Sequence, residues 1–198
     1  MESVKSILAE CDAMLTGHFL LSSGKHSSQY FQCARLLQYP KKACEVLSVP
    51  VKALLEEKKR GSIDFDYVIG PAMGGIIVAY ELGRQLDIPA FFTERDDDSY
   101  MTLRRGFEIK KGQKILIAED VITTGKSTLE AARCIEKLGG IITASVCVVD
   151  RRAENAENPF PWPIFSALRE SAVAFDEQDC PLCKEGKIPP VKPGSRKI

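Results

Sequence analysis

The chain has no surplus of either charge. Its 198 residues carry 27 Lys and Arg against 27 Asp and Glu, a formal net charge of +0. That balance excludes a global field able to recruit nucleic acid or an anionic membrane, so a polyanionic ligand must be met by local clusters. No apolar stretch reaches the ~18 residues of a transmembrane helix, and the opening Met1-Glu-Ser-Val-Lys-Ser6 has no signal-peptide architecture. Histidine is confined to His18 and His26. The seven cysteines (11, 33, 44, 134, 147, 180, 183) are odd in number and scattered, several in apolar settings such as Ser145-Val-Cys-Val-Val149. That is the pattern of reduced thiols in a cytoplasmic protein rather than of a disulfide framework. There is no internal repeat and no low-complexity tract.

What the chain does have is Lys114-Ile-Leu-Ile-Ala-Glu-Asp-Val-Ile-Thr-Thr-Gly-Lys-Ser-Thr128. An apolar run at 115–118 delivers Glu119 and Asp120 onto a hydroxyl-rich loop at 119–126 that pivots on Gly125. Strand, loop and helix N-terminus in that order make a phosphate cradle, because unpaired N–H groups and the positive end of the helix dipole face the anion. Two carboxylates at the lip of an anion site need partners of their own. Sugar hydroxyls or a metal-bound phosphate would serve, so the string predicts a phosphorylated sugar as ligand. A P-loop would also end in Gly125-Lys126-Ser127, but it requires glycine where Asp120 stands. An ordinary capped strand end leaves the acidic pair without a purpose.

Apolar spacing predicts a helix over 3–15 closed by Gly17, a strand within 17–24 and a second at 29–34. A helix over 40–59 opens on Pro40, with a break expected near Pro50 and Gly61 behind its basic end. Strands are then expected at 67–69, 89–93, 107–109, 115–118 and 141–149, with helices at 76–86 and 128–138. Alternation of this kind implies a parallel sheet with ligands at the C-terminal ends of its strands. Residues 153–198 read as a Pro-rich, irregular tail.

Four further constellations carry chemistry. Gly70-Pro-Ala-Met-Gly-Gly75 is a second strand-loop-helix junction, able to hold phosphate on N–H groups. Residues 94–105 form a long polar excursion, read either as a solvated hairpin or as a lid that lowers Arg95, Arg104 and Arg105 onto a leaving group. Asp150-Arg151-Arg152 ends a strand at the same sheet edge, where arginine can fork onto a carboxylate. Tyr30 and Phe31 lie in a hydroxyl-rich segment suited to a flat, polar heterocycle, or else belong to the core. Cys180-Pro-Leu-Cys183 has zinc-knuckle spacing, but no second Cys pair or His pair stands at partner spacing, so it reads as structural thiols or an incidental pair.

The string at 114–128 resembles the phosphoribosyl-diphosphate motif of the type I phosphoribosyltransferases. With Gly17-His-Phe-Leu-Leu-Ser-Ser-Gly-Lys-His-Ser27, Leu36-Leu-Gln-Tyr-Pro40, Gly70 to Gly75, Val149-Asp-Arg151 and Cys180-Pro-Leu-Cys-Lys-Glu-Gly186, the chain is similar to the orotate phosphoribosyltransferase branch of that family. The resemblance implies an α/β fold: a central, mainly parallel sheet flanked by helices, with a small hood over the base site. It implies one domain over 1–198, with 1–40 as the N-terminal part of the hood, 61–152 as the core sheet and 153–198 as the tail. It implies Mg²⁺ held mainly through substrate oxygens and water, no protein metal ligand, and a homodimer whose lid reaches the neighbouring site. By position, Glu119 and Asp120 would hold the ribose hydroxyls of phosphoribosyl diphosphate. Val121, Ile122, Thr123, Thr124, Gly125, Lys126 and Ser127 would wrap its 5′-phosphate, and Gly74 and Gly75 would belong to the pyrophosphate loop. Thr123, Arg151, Tyr30 and Phe31 would meet orotate. The better-known bacterial relatives carry lysine where this chain has Gly74 and Ser22, and a Lys- and His-rich lid, which shifts the leaving-group contacts onto the lid arginines. A purine phosphoribosyltransferase or a non-catalytic regulator sensing phosphoribosyl diphosphate are the alternatives.

Overall fold

The computed structural model describes residues 3–21, 23–171 and 173–193. Ser3 caps the first helix, α1 (Val4–Glu10), by accepting the Ser6 N–H at 3.2 Å, and the helix buries Ile7 and Leu8. It stops at Glu10, short of the expected 15, because Met14 and Leu15 belong to a strand. That strand, β1 (Met14–Leu20), pairs antiparallel with β2 (His26–Phe31), setting Met14 opposite Phe31 and Leu15 opposite Tyr30. The short α2 (Ala34–Leu37) leads into α3 (Pro40–Lys59), which opens on Pro40. The break expected at Pro50 does not occur: α3 runs through it for 20 residues. Val46, Leu47, Pro50, Val51 and Leu54 bury one continuous face, and that burial outweighs the single backbone hydrogen bond a proline removes.

The alternating region supplies β3 (Tyr67–Pro71), α4 (Gly74–Leu86), β4 (Ala90–Arg95), β5 (Met101–Thr102), β6 (Lys114–Ile122), α5 (Lys126–Lys137) and β7 (Ile141–Asp150). The tail adds β8 (Ile164–Arg169), β9 (Ala174–Phe175) and α6 (Pro181–Glu185). The main sheet has the order β5-β4-β3-β6-β7-β8, parallel except for β5, which folds back on β4 as a hairpin. A second, three-stranded sheet, β1-β2-β9, unites the two ends of the chain in the hood. The central, mainly parallel sheet flanked by helices and the small hood expected from the sequence are therefore present.

Two further local expectations differ from the structure. Residues 107–109 form no strand; Phe107 instead stacks on Phe91 at 5.1 Å and meets Phe92 edge-on, covering the sheet. The run after 153 is less irregular than its prolines imply, since β8 extends the sheet beside β7.

Both faces of β6 are buried: Leu116 and Ala118 enter the core shared with α3 and α4, while Ile115 and Ile117 enter the one shared with α5, Phe160 and Trp162. That explains a strand with no polar alternation. No helix among the described residues is long and apolar enough to cross a membrane.

The tightest approach in the fold lies where β3 turns into α4. A Cβ at Gly70 would collide with the carbonyl of Gly75, and one at Gly75 would lie 2.7 Å from the Ala118 carbonyl oxygen. Gly70→Ala should therefore lower stability by at least the ~1–3 kcal/mol of ordinary overpacking, because backbone cannot rotate away as a side chain can. Urea denaturation checks this, and an unchanged midpoint would mean that the loop yields freely.

Candidate active site

The C-terminal ends of β4, β6 and β7 open into one cleft of about 620 Å³. Glu119 and Asp120 stand on its floor, and Val121, Thr123, Thr124, Gly125, Lys126, Ser127 and Thr128 form one wall. Tyr30, Phe31 and Arg151 form the opposite wall. Residues predicted from three separate segments thus meet at one place. The acidic pair is not on a loop, as its neighbours' polarity implied. It lies within β6, because pairing with β7 continues through Val121 opposite Val149 and Ile122 opposite Asp150.

Burial governs the electrostatics of that pair. Glu119 is 7% exposed, and burial pushes its carboxyl up to about 8; the adjacent Asp120 charge adds to the shift and the Thr128 hydroxyl opposes it. Asp120 is raised as well, again by burial, although the Val121 N–H donates to its Oδ1 at 2.8 Å. Hydrogen bonds from hydroxyl groups would favour the charged form of both. The pair is thus primed for a polyhydroxyl or cationic ligand. Its oxygen donors also suit a hard cation carried in on a phosphorylated ligand.

The loop after β6 is shaped for an anion. Gly125 adopts a left-handed conformation (φ 73) and as N-cap has no side chain to offer; Thr124 Oγ1 accepts the Lys126 N–H at 3.4 Å, and the N–H groups that follow in the first turn face the loop. A Cβ at Gly125 would lie 2.6 Å from Phe160 Cζ, so the tail props the loop from behind. Phe160 in turn stacks on Trp162 at 5.3 Å, and Trp162 Nε1–H donates to Ser145 Oγ at 2.8 Å. Ile122 points into the core and serves the loop by anchoring it. Gly74 and Gly75 do not line the cleft. They let the start of α4 approach β6 so closely that a side chain at Gly74 would strike the Asp120 carboxylate. The Ser22 position falls outside the described residues.

Arg151 is the unbalanced charge. Its guanidinium lies 5.4 Å over the Phe31 ring, its buried Nε has no hydrogen-bond partner among the described residues, and desolvation lowers its pKa. A half-buried cation with a buried, unpartnered N–H calls for an anion. Its neighbour Arg152 is already satisfied, with Nε and Nη2 on Asp150 at 2.9 and 2.7 Å.

The lid arginines do not converge. Arg95 lines the cleft, donates to the Ser99 carbonyl at 2.6 Å and pairs with Glu130 of α5. Arg105 forks onto Glu94 with two contacts at 2.9 Å, and neither it nor Arg104 lines the cleft. Asp96 closes the hairpin turn by accepting the N–H groups of Asp98 and Tyr100. Gln32 and Cys33 also line the cleft, the latter with its thiol 3.7 Å from the Asp120 carbonyl. Their positions follow from the end of β2, and no motif marked them.

Known proteins resemble this chain along its whole length. The phosphoribosyl transferase domain family matches residues 49–173. An orotate phosphoribosyltransferase of Caldanaerobacter subterraneus subsp. tengcongensis is 46% identical over 197 residues, covering 100% of this chain and 98% of that relative. The crystal structure of orotate phosphoribosyltransferase from Aeropyrum pernix aligns with a TM-score of 0.67 at 25% identity, over 84% of this chain and 93% of that one. An adenine phosphoribosyltransferase from Thermoanaerobacter pseudethanolicus aligns with a TM-score of 0.56 at 18% identity, over 72% of this chain and 88% of its own, a likeness of fold alone.

The raised Glu119 has a consequence for stability. Between the ordinary value of 4.5 and about 8, the folded protein keeps a proton that the unfolded chain has lost. Stability should therefore fall as pH rises through that window and level off above it. Urea titrations of the ligand-free protein against Glu119→Gln should show the wild type losing ground to the variant from pH 5 to 8, and parallel pH profiles would contradict the shift.

Proposed function

We propose a division of labour within the cleft from one premise: the chain belongs to the phosphoribosyl transferase family, and within it to the orotate phosphoribosyltransferases. It transfers phosphoribosyl from 5-phospho-α-D-ribose 1-diphosphate to orotate, giving orotidine 5′-phosphate and diphosphate in pyrimidine nucleotide synthesis. The bond from ribose C1 to the diphosphate oxygen breaks, and a bond from C1 to N1 of orotate forms. Orotate is an anion through its carboxylate, while N1 still carries a proton, which passes to the departing diphosphate or to water as the new bond forms. The barrier lies in the positive charge that grows on the ribose as diphosphate departs, so positioning and charge stabilisation dominate.

In this reading Glu119 and Asp120 accept hydrogen bonds from the ribose hydroxyls and stabilise the developing cation. The loop from Val121 to Ser127 holds the 5′-phosphate on N–H groups and hydroxyls. Thr123, Tyr30 and Phe31 flank the base. Mg²⁺, held by substrate oxygens and water, would neutralise diphosphate charge. The hairpin 94–105 acts as the lid, with Arg95 nearest the cleft and Arg104 and Arg105 delivered on closure, across a homodimer. The whole chain works as one domain, and its free thiols suit a reducing cytoplasm.

The observation that carries the choice of base is Arg151. Orotate differs from uracil by a carboxylate, and a half-buried guanidinium with a buried, unpartnered Nε on the cleft wall is its natural complement. A purine offers no such anion. A panel of orotate, uracil, adenine and hypoxanthine should yield nucleotide with orotate alone, and turnover of a purine instead would overturn the reading.

Two sets of variants test the roles. Arg151→Ala removes a charge-assisted bond contributing about 1.5–3 kcal/mol, so kcat/KM for orotate should fall roughly 10–200-fold. Phosphoribosyl diphosphate should be affected far less, and equal losses for both substrates would remove Arg151 as the carboxylate clamp. Asp120→Asn should fold normally yet lose roughly 10²–10³-fold in turnover. If the lid crosses the dimer, mixing Asp120→Asn chains with Arg104→Ala or Arg105→Ala chains, whichever loses turnover, should recover activity absent from either alone. No recovery, with hybrid dimers verified, would confine the lid to its own site.

A further inference from the structure

The hood gathers four metal-binding side chains from opposite ends of the chain. His18 sits on β1, His26 on β2, Cys180 just before α6 and Cys183 within it. Their ligand atoms all lie within 4.8 Å of one another. None of the four lines the catalytic cleft. His18, His26 and Cys180 are buried, at 2%, 4% and 0% exposure.

Hydrogen bonding alone does not account for the cluster. His18 Nδ1 is 2.8 Å from the Ile188 carbonyl, a group that only accepts, so Nδ1 carries the ring proton and Nε2 presents a lone pair. Three groups converge on that nitrogen: His26 Nδ1 at 2.8 Å, Cys180 Sγ at 3.5 Å and Cys183 Sγ at 3.6 Å. One in-plane lone pair serves one donor. A cation at the centre would engage all four atoms at once.

The separations have the right size. Bonds of about 2.05 Å to nitrogen and 2.3 Å to sulfur in a tetrahedron put N and S about 3.6 Å apart and the two nitrogens about 3.3 Å apart. Three of the four N···S separations here are 3.5, 3.6 and 3.2 Å, and the fourth lies within 4.8 Å. The nitrogens, at 2.8 Å, would need to part by about half an ångström. The Ile188 carbonyl supplies the outer hydrogen bond that orients a ligating imidazole.

We propose that His18 Nε2, His26 Nδ1, Cys180 Sγ and Cys183 Sγ form a structural Zn²⁺ site. Two thiolates and two imidazoles in a tetrahedral array favour zinc over hard cations, and four protein ligands leave no open position for catalysis. The ion would pin the tail to the β1–β2 hairpin. Beyond the site the tail continues that attachment: Val191 N–H donates to the His18 carbonyl at 2.8 Å, and Leu20 N–H donates to the Val191 carbonyl at 2.9 Å. Pro193 then reaches the cleft, and Tyr30 and Phe31 of β2 line it too. The ion would thereby hold the shape of the wall opposite the phosphate loop. On this proposal the cysteines are neither merely structural thiols nor an incidental pair, because the hairpin supplies the His pair that spacing did not reveal.

The test uses untagged protein purified with a non-thiol reductant and no chelator. Elemental analysis should find close to one zinc per chain, and cobalt substitution should produce tetrahedral d–d absorption with thiolate charge transfer. His26→Ala and Cys183→Ser should each lose most of the metal, while Cys134→Ser keeps it. Stripping the metal should lower the melting temperature, and adding Zn²⁺ back should restore it. The proposal is overturned if folded, reduced wild-type protein takes up no Zn²⁺ or Co²⁺. A stable Cys180–Cys183 disulfide in place of metal, or equal zinc in wild type and both ligand variants, would overturn it as well.

Discussion

Two carboxylates share the end of one buried strand, and much of the architecture is arranged around that fact. Glu119 and Asp120 follow four fully buried residues of β6, Ile115 to Ala118, with sheet on both sides. Removing a carboxylate from water is costly, and placing two side by side adds repulsion. The structure meets that cost with local devices: the Val121 N–H on Asp120 and the Thr128 hydroxyl beside Glu119. The residual shift to about 8 on Glu119 is the portion left for a ligand to relieve. A ribose bearing two hydroxyls and a growing positive charge is the partner that gains most from such a pair.

The same constraint explains the glycines and the tail. Gly74 leaves room for the Asp120 carboxylate, and Gly70 and Gly75 let α4 close against β3 and β6. On the far side, Phe160 occupies the space that Gly125 leaves vacant, so the phosphate loop is backed by an aromatic stack. The anion loop and the carboxylates are therefore held by packing on opposite faces of one strand. Across the cleft, Arg151 lies over Phe31, and the hood strand that carries Phe31 is tied through its other end to the tail.

Much of this was legible in the sequence wherever a motif coincided with local geometry. The acidic pair, the hydroxyl-rich loop and Gly125 announce a phosphate cradle because strand, turn and helix are contiguous. Arg151 followed from its place at the end of the next strand. What escaped prediction depended on distant pairing. β6 runs past Asp120 because β7 continues to bind it, which residues 119–122 alone do not reveal. Met14 and Leu15 have helical spacing but are taken by β2. β8 is a six-residue run among prolines, recognisable only beside β7. His18 and His26 come together because Leu20 pairs with His26 across the hairpin, and Cys180 joins them from more than 150 residues away. No spacing rule spans that separation.

The claim on which this account rests is that Glu119 is held protonated by burial and becomes a carboxylate when the ribose arrives. Calorimetric titration of phosphoribosyl diphosphate with Mg²⁺ at pH 7, in buffers of differing ionisation enthalpy, measures the protons exchanged on binding. The account predicts that the wild type releases more protons than Glu119→Gln, by up to one per site, with the excess shrinking as the pH is raised beyond about 8. Identical proton exchange in the two proteins, with binding intact, would contradict it.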